Sequence, residues 1–186
     1  MKTKYEYRGF TIKYYHSDNE FEHPHNFLAP DHLHTFSANK HINDIERSIW
    51  IIKEQVRCGC HFTPYKKFKK SMTRSLVQDT ITCLNMFPSK NGISKELSQA
   101  AIILGPQNLY DNKLKVTFGV YAQVYIGTTN SKKQRMVWAI SPRPENKRCG
   151  YYFMSPATGK QLHAFIWTEL PIKNQVVSRV IDLVNK

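Results

Sequence analysis

Two carboxylates, a run of histidines, a close cysteine pair and a lysine cluster are the residues of this chain suited by type and spacing to chemistry. Asp18 follows residues 9–17, where alternating and β-branched positions read as a strand. Glu46 lies one residue past Ile45, at the margin of the face formed by Ile42, Ile45, Ile49, Ile52 and Val56, which recur at steps of three and four, the spacing of one helix face. A strand-end carboxylate and a helix carboxylate are one way to hold a divalent metal. Mg²⁺ takes hard oxygen ligands, often one or two carboxylates with substrate phosphate. Two such ions about 4 Å apart clamp the attacking and leaving oxygens of a phosphoryl displacement.

Six histidines, His16, His23, His25, His32, His34 and His41, fall within 26 residues. His23-Pro24-His25 and His32-Leu33-His34 have the right ligand types for zinc. Pro24 and Pro30 break any helix that would align them, so solvated loop histidines are the other reading. Cys58-Gly59-Cys60-His61 is spaced more tightly than zinc pairs usually are, and no second pair exists; free thiols near a helix end are the simpler reading. Cys58, Cys60, Cys83 and Cys149 fit no disulfide scaffold. Lys66, Lys67, Lys69 and Lys70 crowd the start of a second helix, expected from about Pro64 to Asn85. Cations are poorly placed against the positive end of a helix dipole, which points to an external anion, with a solvated face as the alternative.

The elements that must position these groups divide the chain. Residues 33–38 read as a short strand, and residues 19–32 as an acidic, Pro-interrupted connection with room for one short helix. Asn43 or Asp44 caps the Glu46 helix and Gly59 ends it. On the second helix Phe68, Met72, Leu76, Thr80 and Leu84 step along one face. Residues 88–112 are rich in Pro, Gly, Asn and Ser and hold the expected boundary, giving a first unit over 1–95, a linker over 96–112 and a second unit over 113–186. Beyond it Val116, Phe118, Val120, Ala122, Val124 and Ile126 alternate, as in a half-buried strand. Shorter strands are expected at 136–140, 151–154 and 164–167, the pattern of a small antiparallel β-barrel, and an amphipathic helix closes the chain over 174–184.

With 186 residues and 41% hydrophobic content, the chain can bury a core. Twenty-seven Lys and Arg against fourteen Asp and Glu give a net charge of +13, which favours a polyanionic partner. Residues 97–186 hold 12 basic and 4 acidic residues, against 15 and 10 in residues 1–96, so the β-rich part is the more purely basic. No apolar run has the length of a signal peptide or a membrane span, and the expectation is a soluble intracellular protein.

Several segments, in order, resemble the integrase region of copia-type LTR retrotransposon polyproteins. His16-Ser17-Asp18-Asn19-Glu20-Phe21 resembles the segment around the second catalytic Asp of retroviral and retrotransposon integrases. Residues 45–54, from Ile45-Glu46-Arg47-Ser48, resemble the helix carrying their catalytic Glu. Residues 84–94 resemble the segment that closes the family's core. Gly119-Val120-Tyr121-Ala122, residues 150–155, Thr158-Gly159-Lys160 and Trp167-Thr168-Glu169-Leu170-Pro171 resemble the β-rich region after that core. The resemblance implies an α+β chain: the second half of a ribonuclease-H-like α/β core, followed by a small antiparallel β-barrel-like segment.

It also implies Asp18 as the second Asp and Glu46 as the Glu of an Asp, Asp, Glu triad, 28 residues apart here, holding Mg²⁺ or Mn²⁺ in the complete parent site. Trp50 departs from the polar residue expected one turn after Glu46. Lys53 and Arg57 would face DNA from the Glu46 helix, and Lys66, Lys67, Lys69, Lys70, Arg143, Lys147 and Arg148 would contact phosphate. The first Asp and a His/Cys zinc module would precede residue 9. The expectation is a C-terminal integrase fragment that keeps nucleic-acid binding without catalysis of its own. Its partners would be DNA and other integrase subunits or a missing N-terminal half, and its site nuclear if it serves integration. An interaction module completed by a partner chain and a zinc protein using the His-rich loop are the alternatives.

Overall fold

A computed structural model of the chain describes residues 2–18, 33–36, 43–90, 92–105, 113–127, 132, 134–145 and 150–184. It is an α+β structure. A short helix α1 (Lys2–Glu6) precedes two strands, β1 (Tyr15–Asp18) and β2 (Leu33–Phe36), which pair in parallel with Tyr15 opposite Leu33 and Asp18 opposite Phe36. Parallel strands need a crossover; here it is residues 19–32, outside the described residues together with the helix expected there. The first strand begins at Tyr15, not at residue 9, and residues 10–14 have no regular structure.

Two long helices come next, α2 (Asn43–Phe62) and α3 (Lys70–Met86). Gly59 does not end α2. It sits inside the helix where α3 comes closest: a Cβ on Gly59 would stand 3.0 Å from Leu76 Cδ1. The missing side chain therefore serves a helix–helix approach, not a cap. The second helix starts at Lys70 instead of Pro64, because Tyr65 turns inward. Its ring is buried and its hydroxyl donates to the Gly119 carbonyl at 3.1 Å. Met72, Leu76 and Thr80 form the buried stripe that the four-residue spacing predicts. Within the expected linker a short helix α4 (Gln99–Leu104) is capped by Ser98, whose hydroxyl accepts from the Ala101 amide at 3.1 Å.

Five antiparallel strands make the second sheet: β3 (Tyr121–Tyr125), β4 (Met136–Pro144), β5 (Tyr151–Met154), β6 (Gln161–Ala164) and β7 (Trp167–Glu169). Their order is β6-β5-β4-β3-β7. The first expected strand is shorter than its alternation suggests, because Gly119 takes a positive φ of 86°. Its amide donates to the Ser141 carbonyl at 2.7 Å. The last expected strand divides at Phe165 and Ile166 into the end of β6 and the start of β7.

The expected closed barrel is an open ladder: among the described residues β6 and β7 do not pair. The sheet is nevertheless strongly curled. Opposite edges of a flat five-stranded sheet stand about 19 Å apart, whereas Ala164 and Trp167 are three residues apart and span at most about 11 Å. Consecutive strands can therefore occupy the two edges only if those edges curl towards each other. Trp167 of β7 accordingly meets Tyr151 and Phe153 of β5, with ring centroids 4.9 and 6.0 Å apart.

Alternation along the strands feeds two cores. Ala122, Val124, Ala139, Tyr151, Phe153 and Ala164 point into the curl. Tyr121, Ile140 and Met154 point to the other face, against Tyr65, Met72, Leu76 and Val180. Val180 belongs to α5 (Asn174–Asp182), the terminal helix expected from the sequence. This second cluster joins helices placed before residue 95 to the sheet beyond residue 112. A strand flanked on both faces by buried neighbours is fixed in register, since a one-residue slip would exchange the two sets.

Candidate nucleic-acid interface

Asp18 is the last residue of β1, and Glu46 stands exposed in the first turn of α2. Glu46 has an interaction partner of its own. No group of three or more His, Cys, Asp or Glu side chains among the described residues is placed to hold a metal ion. Of the histidine-rich stretch, only the backbone at His16 and His34 is described, within β1 and β2. Cys58, Cys60 and Cys83 are free thiols. Burial pushes Cys83 up to about 11, with the Asp79 carboxylate adding to the shift, so this thiol is a poor nucleophile and a poor metal ligand near neutral pH.

The cations are better placed. Lys53 and Arg57 lie exposed on α2, and Arg57 is paired with Glu54, which neutralises it. Lys66, Lys67 and Lys70 are exposed and Lys69 is half-buried. None of these four is ion-paired with a carboxylate among the described residues. Lys69 occupies the N-cap of α3 in extended conformation, with no side-chain cap, and the first turn contains no acidic residue. First-turn amides thus lack a side-chain acceptor while four positive charges crowd them. A positive charge in the first turn, such as that of Lys70, is unfavourable against the helix dipole. An anion seated there reverses the sign of that interaction, because amides and ammonium groups then both point at negative charge.

The fold adds a fifth cation. The turn from β5 to β6 runs through Gly159, whose φ is 68° and whose amide donates to the Ser155 carbonyl at 2.8 Å. A Cβ on Gly159 would stand 3.0 Å from Lys69 Nζ. Lys69 of the helical part therefore meets the β5–β6 turn, and exposed Lys160 comes directly after Gly159. Arg74, one turn after Lys70, is also exposed and unpaired among the described residues. Sequence reasoning singles out neither Lys160 nor Arg74 as a contact. A lone cation after a Thr-Gly turn signals only exposure, and the meeting with Lys69 is a product of tertiary packing.

Arg143 stands apart from this group on β4. It is half-buried, and its guanidinium lies over the Tyr152 ring at 4.4 Å from the centroid. Lys147 and Arg148 lie outside the described residues. Beside Arg143, Glu145 Oε2 and His163 Nε2 approach to 2.6 Å, yet without hydrogen-bond alignment, so the contact is ionic when the imidazole is protonated. Tyr151 is buried in the curled sheet, and half-buried Trp167 packs edge-on against it.

Comparison with protein-family models, with curated proteins and with solved structures returned no match.

Proposed function

We propose that the chain is the C-terminal part of a copia-type integrase and that it binds nucleic acid through phosphate contacts, without catalysis of its own. The observation carrying the binding reading is the meeting of Lys69, at the uncapped start of α3, with the Gly159 turn, beside exposed Lys66, Lys67, Lys70 and Lys160. The net charge of +13 supports it at the scale of the whole chain. The ordered motif resemblance, together with two parallel strands leading to the Glu46 helix, supports the integrase origin. In the complete parent, Asp18 and Glu46 would hold Mg²⁺ or Mn²⁺, whose chemistry is activation of the attacking oxygen and stabilisation of the leaving one.

Backbone contacts of this kind read no sequence. Replacing Lys66, Lys67, Lys69 and Lys70 by Gln should weaken binding to mixed-sequence and A·T-rich duplexes alike, by about tenfold or more. An anisotropy titration with both duplexes measures this. Undiminished affinity of the variant would remove the interface from α3.

One observation favours a second reading, docking to a partner chain. Ile45 and Ile49 on the first half of α2 are 45% and 46% exposed, although their spacing is that of a buried face, and neighbouring Trp50 is 61% exposed. A two-stranded sheet such as β1–β2 also gains from further strands. A stoichiometric complex with an upstream integrase core fragment, absent with Ile45→Glu and Ile49→Glu, would establish this second role.

A further inference from the structure

Helices α2 and α3 touch at Gly59 and Leu76 and enclose a groove of about 720 Å³ from Ser48 to Phe62. That length of α2 is four turns, about 21 Å. Its walls are mostly apolar, including Ile51, Ile52, Phe62, Ile81, Leu84 and Phe87. Several of these remain open to solvent, with Phe62 89% and Phe87 53% exposed. Asp79 of α3 is the one charged residue among the described residues that line the groove. It has no ion pair or hydrogen bond to any described residue.

We propose that this groove receives an amphipathic helix of a partner protein, which lays its apolar face between α2 and α3 and presents one Lys or Arg to Asp79. Charge complementarity selects the occupant. A wholly apolar helix would bury Asp79 without a partner, at a cost, whereas a basic residue converts that cost into a charge-assisted hydrogen bond. A channel open along two antiparallel helices has the shape for a third, read by anchors at i, i+3, i+4 and i+7. The exposed apolar rim also extends further than a small amine would cover. The proposal is independent of the nucleic-acid reading, since the groove carries no cation among its described lining residues. The overall charge of +13 repels a basic peptide, so attraction must come from the groove itself.

Burial raises Asp79 to about 6, so a basic partner must bind more weakly as pH falls through that range. The other titratable groups near the carboxyl are Cys83 on α3, Cys58 on α2 and Tyr151 on β5. The Cys83 and Tyr151 shifts are both upward, which keeps these two neutral across the window.

The test uses the full chain and two fluorescein-labelled 16-residue Ala/Leu helical peptides, one with a single Lys amid its Leu face and one with norleucine there. Anisotropy should show the Lys peptide binding more tightly at pH 7.5. Asp79→Asn should weaken that peptide by about tenfold, leave the norleucine peptide no weaker and relieved of the buried charge, and remove the pH dependence between 7.5 and 5. Leu84→Asn, at a partly exposed site, should weaken both peptides. Equal affinity for the two peptides, no binding of either, or an Asp79→Asn variant that binds like the wild type would overturn the proposal. So would self-association of the chain abolished by Leu84→Asn, which would make a second copy the occupant, or displacement of the Lys peptide by dodecylamine at equimolar concentration.

Discussion

At the residue scale, the side chains with the clearest physical signatures are two that a sequence reading passes over or misassigns. Asp79 lies mid-helix, where a single acid reads as a solvated face; only the packing of α2 and β5 around it shows the burial that raises it to about 6. The raised value fixes a sign. Between the ordinary carboxylate value of 3.8 and about 6, the folded chain binds more protons than the unfolded one, so stability falls as pH rises through that window. Above it a constant penalty of up to about 3 kcal/mol remains. Asp79→Asn should therefore raise the melting temperature at pH 7.5, with the gain shrinking towards zero near pH 4. A gain independent of pH would show that burial does not perturb this carboxyl. Gly59 is the misassigned residue. Its type suits a helix end, and the opposing Leu76 that explains it lies 17 positions further on.

At the element scale, long periodic segments are legible in the sequence and short ones are not. The stripes of α2 and α3 show because more than four turns repeat one spacing, and that of α5 shows over about two and a half. Helix α4 has six residues, too few for a period to declare itself, and Ser98 is its one local signal. The alternation from Val116 to Ile126 matches the burial of Val116, Phe118, Ala122 and Val124, but Ile126 is exposed, Tyr121 is buried against the pattern, and the strand is overstated. Gly119 interrupts it, and its φ of 86° is a conformation that an L side chain resists. A Cβ there would also meet Thr63 Cγ2 at 3.0 Å. Gly119→Ala should cost about 1–3 kcal/mol, read by urea denaturation. A neutral substitution would mean that the turn between Phe118 and Val120 adapts freely.

At the scale of the whole molecule, fold class and charge are readable from the sequence, and the joining of the two parts is not. Composition and pattern give an α+β chain with a basic, β-rich second half. Nothing in linear order says that Met72 and Leu76 of α3 share a core with Ile140 and Met154 of the sheet. Nor does linear order say that Lys69 meets the turn at Gly159. That shared core predicts cooperative unfolding. Met72→Ala should cost about 2–5 kcal/mol, and helix loss by circular dichroism should coincide with exposure of Trp167 by fluorescence. Separate transitions would make the helical pair and the sheet independent units.

The same packing that joins the parts brings Lys69 to the turn at Gly159, and the salt dependence of DNA binding tests the proposed interface there most directly. The logarithm of affinity for a mixed-sequence duplex should fall linearly with the logarithm of salt concentration, with a slope of about 0.9 for each phosphate engaged. Substituting Gln for Lys66, Lys67, Lys69 and Lys70 should flatten that slope by up to about 3.6 units. An affinity indifferent to salt, or a slope identical in the wild type and the variant, would contradict phosphate binding at the start of α3.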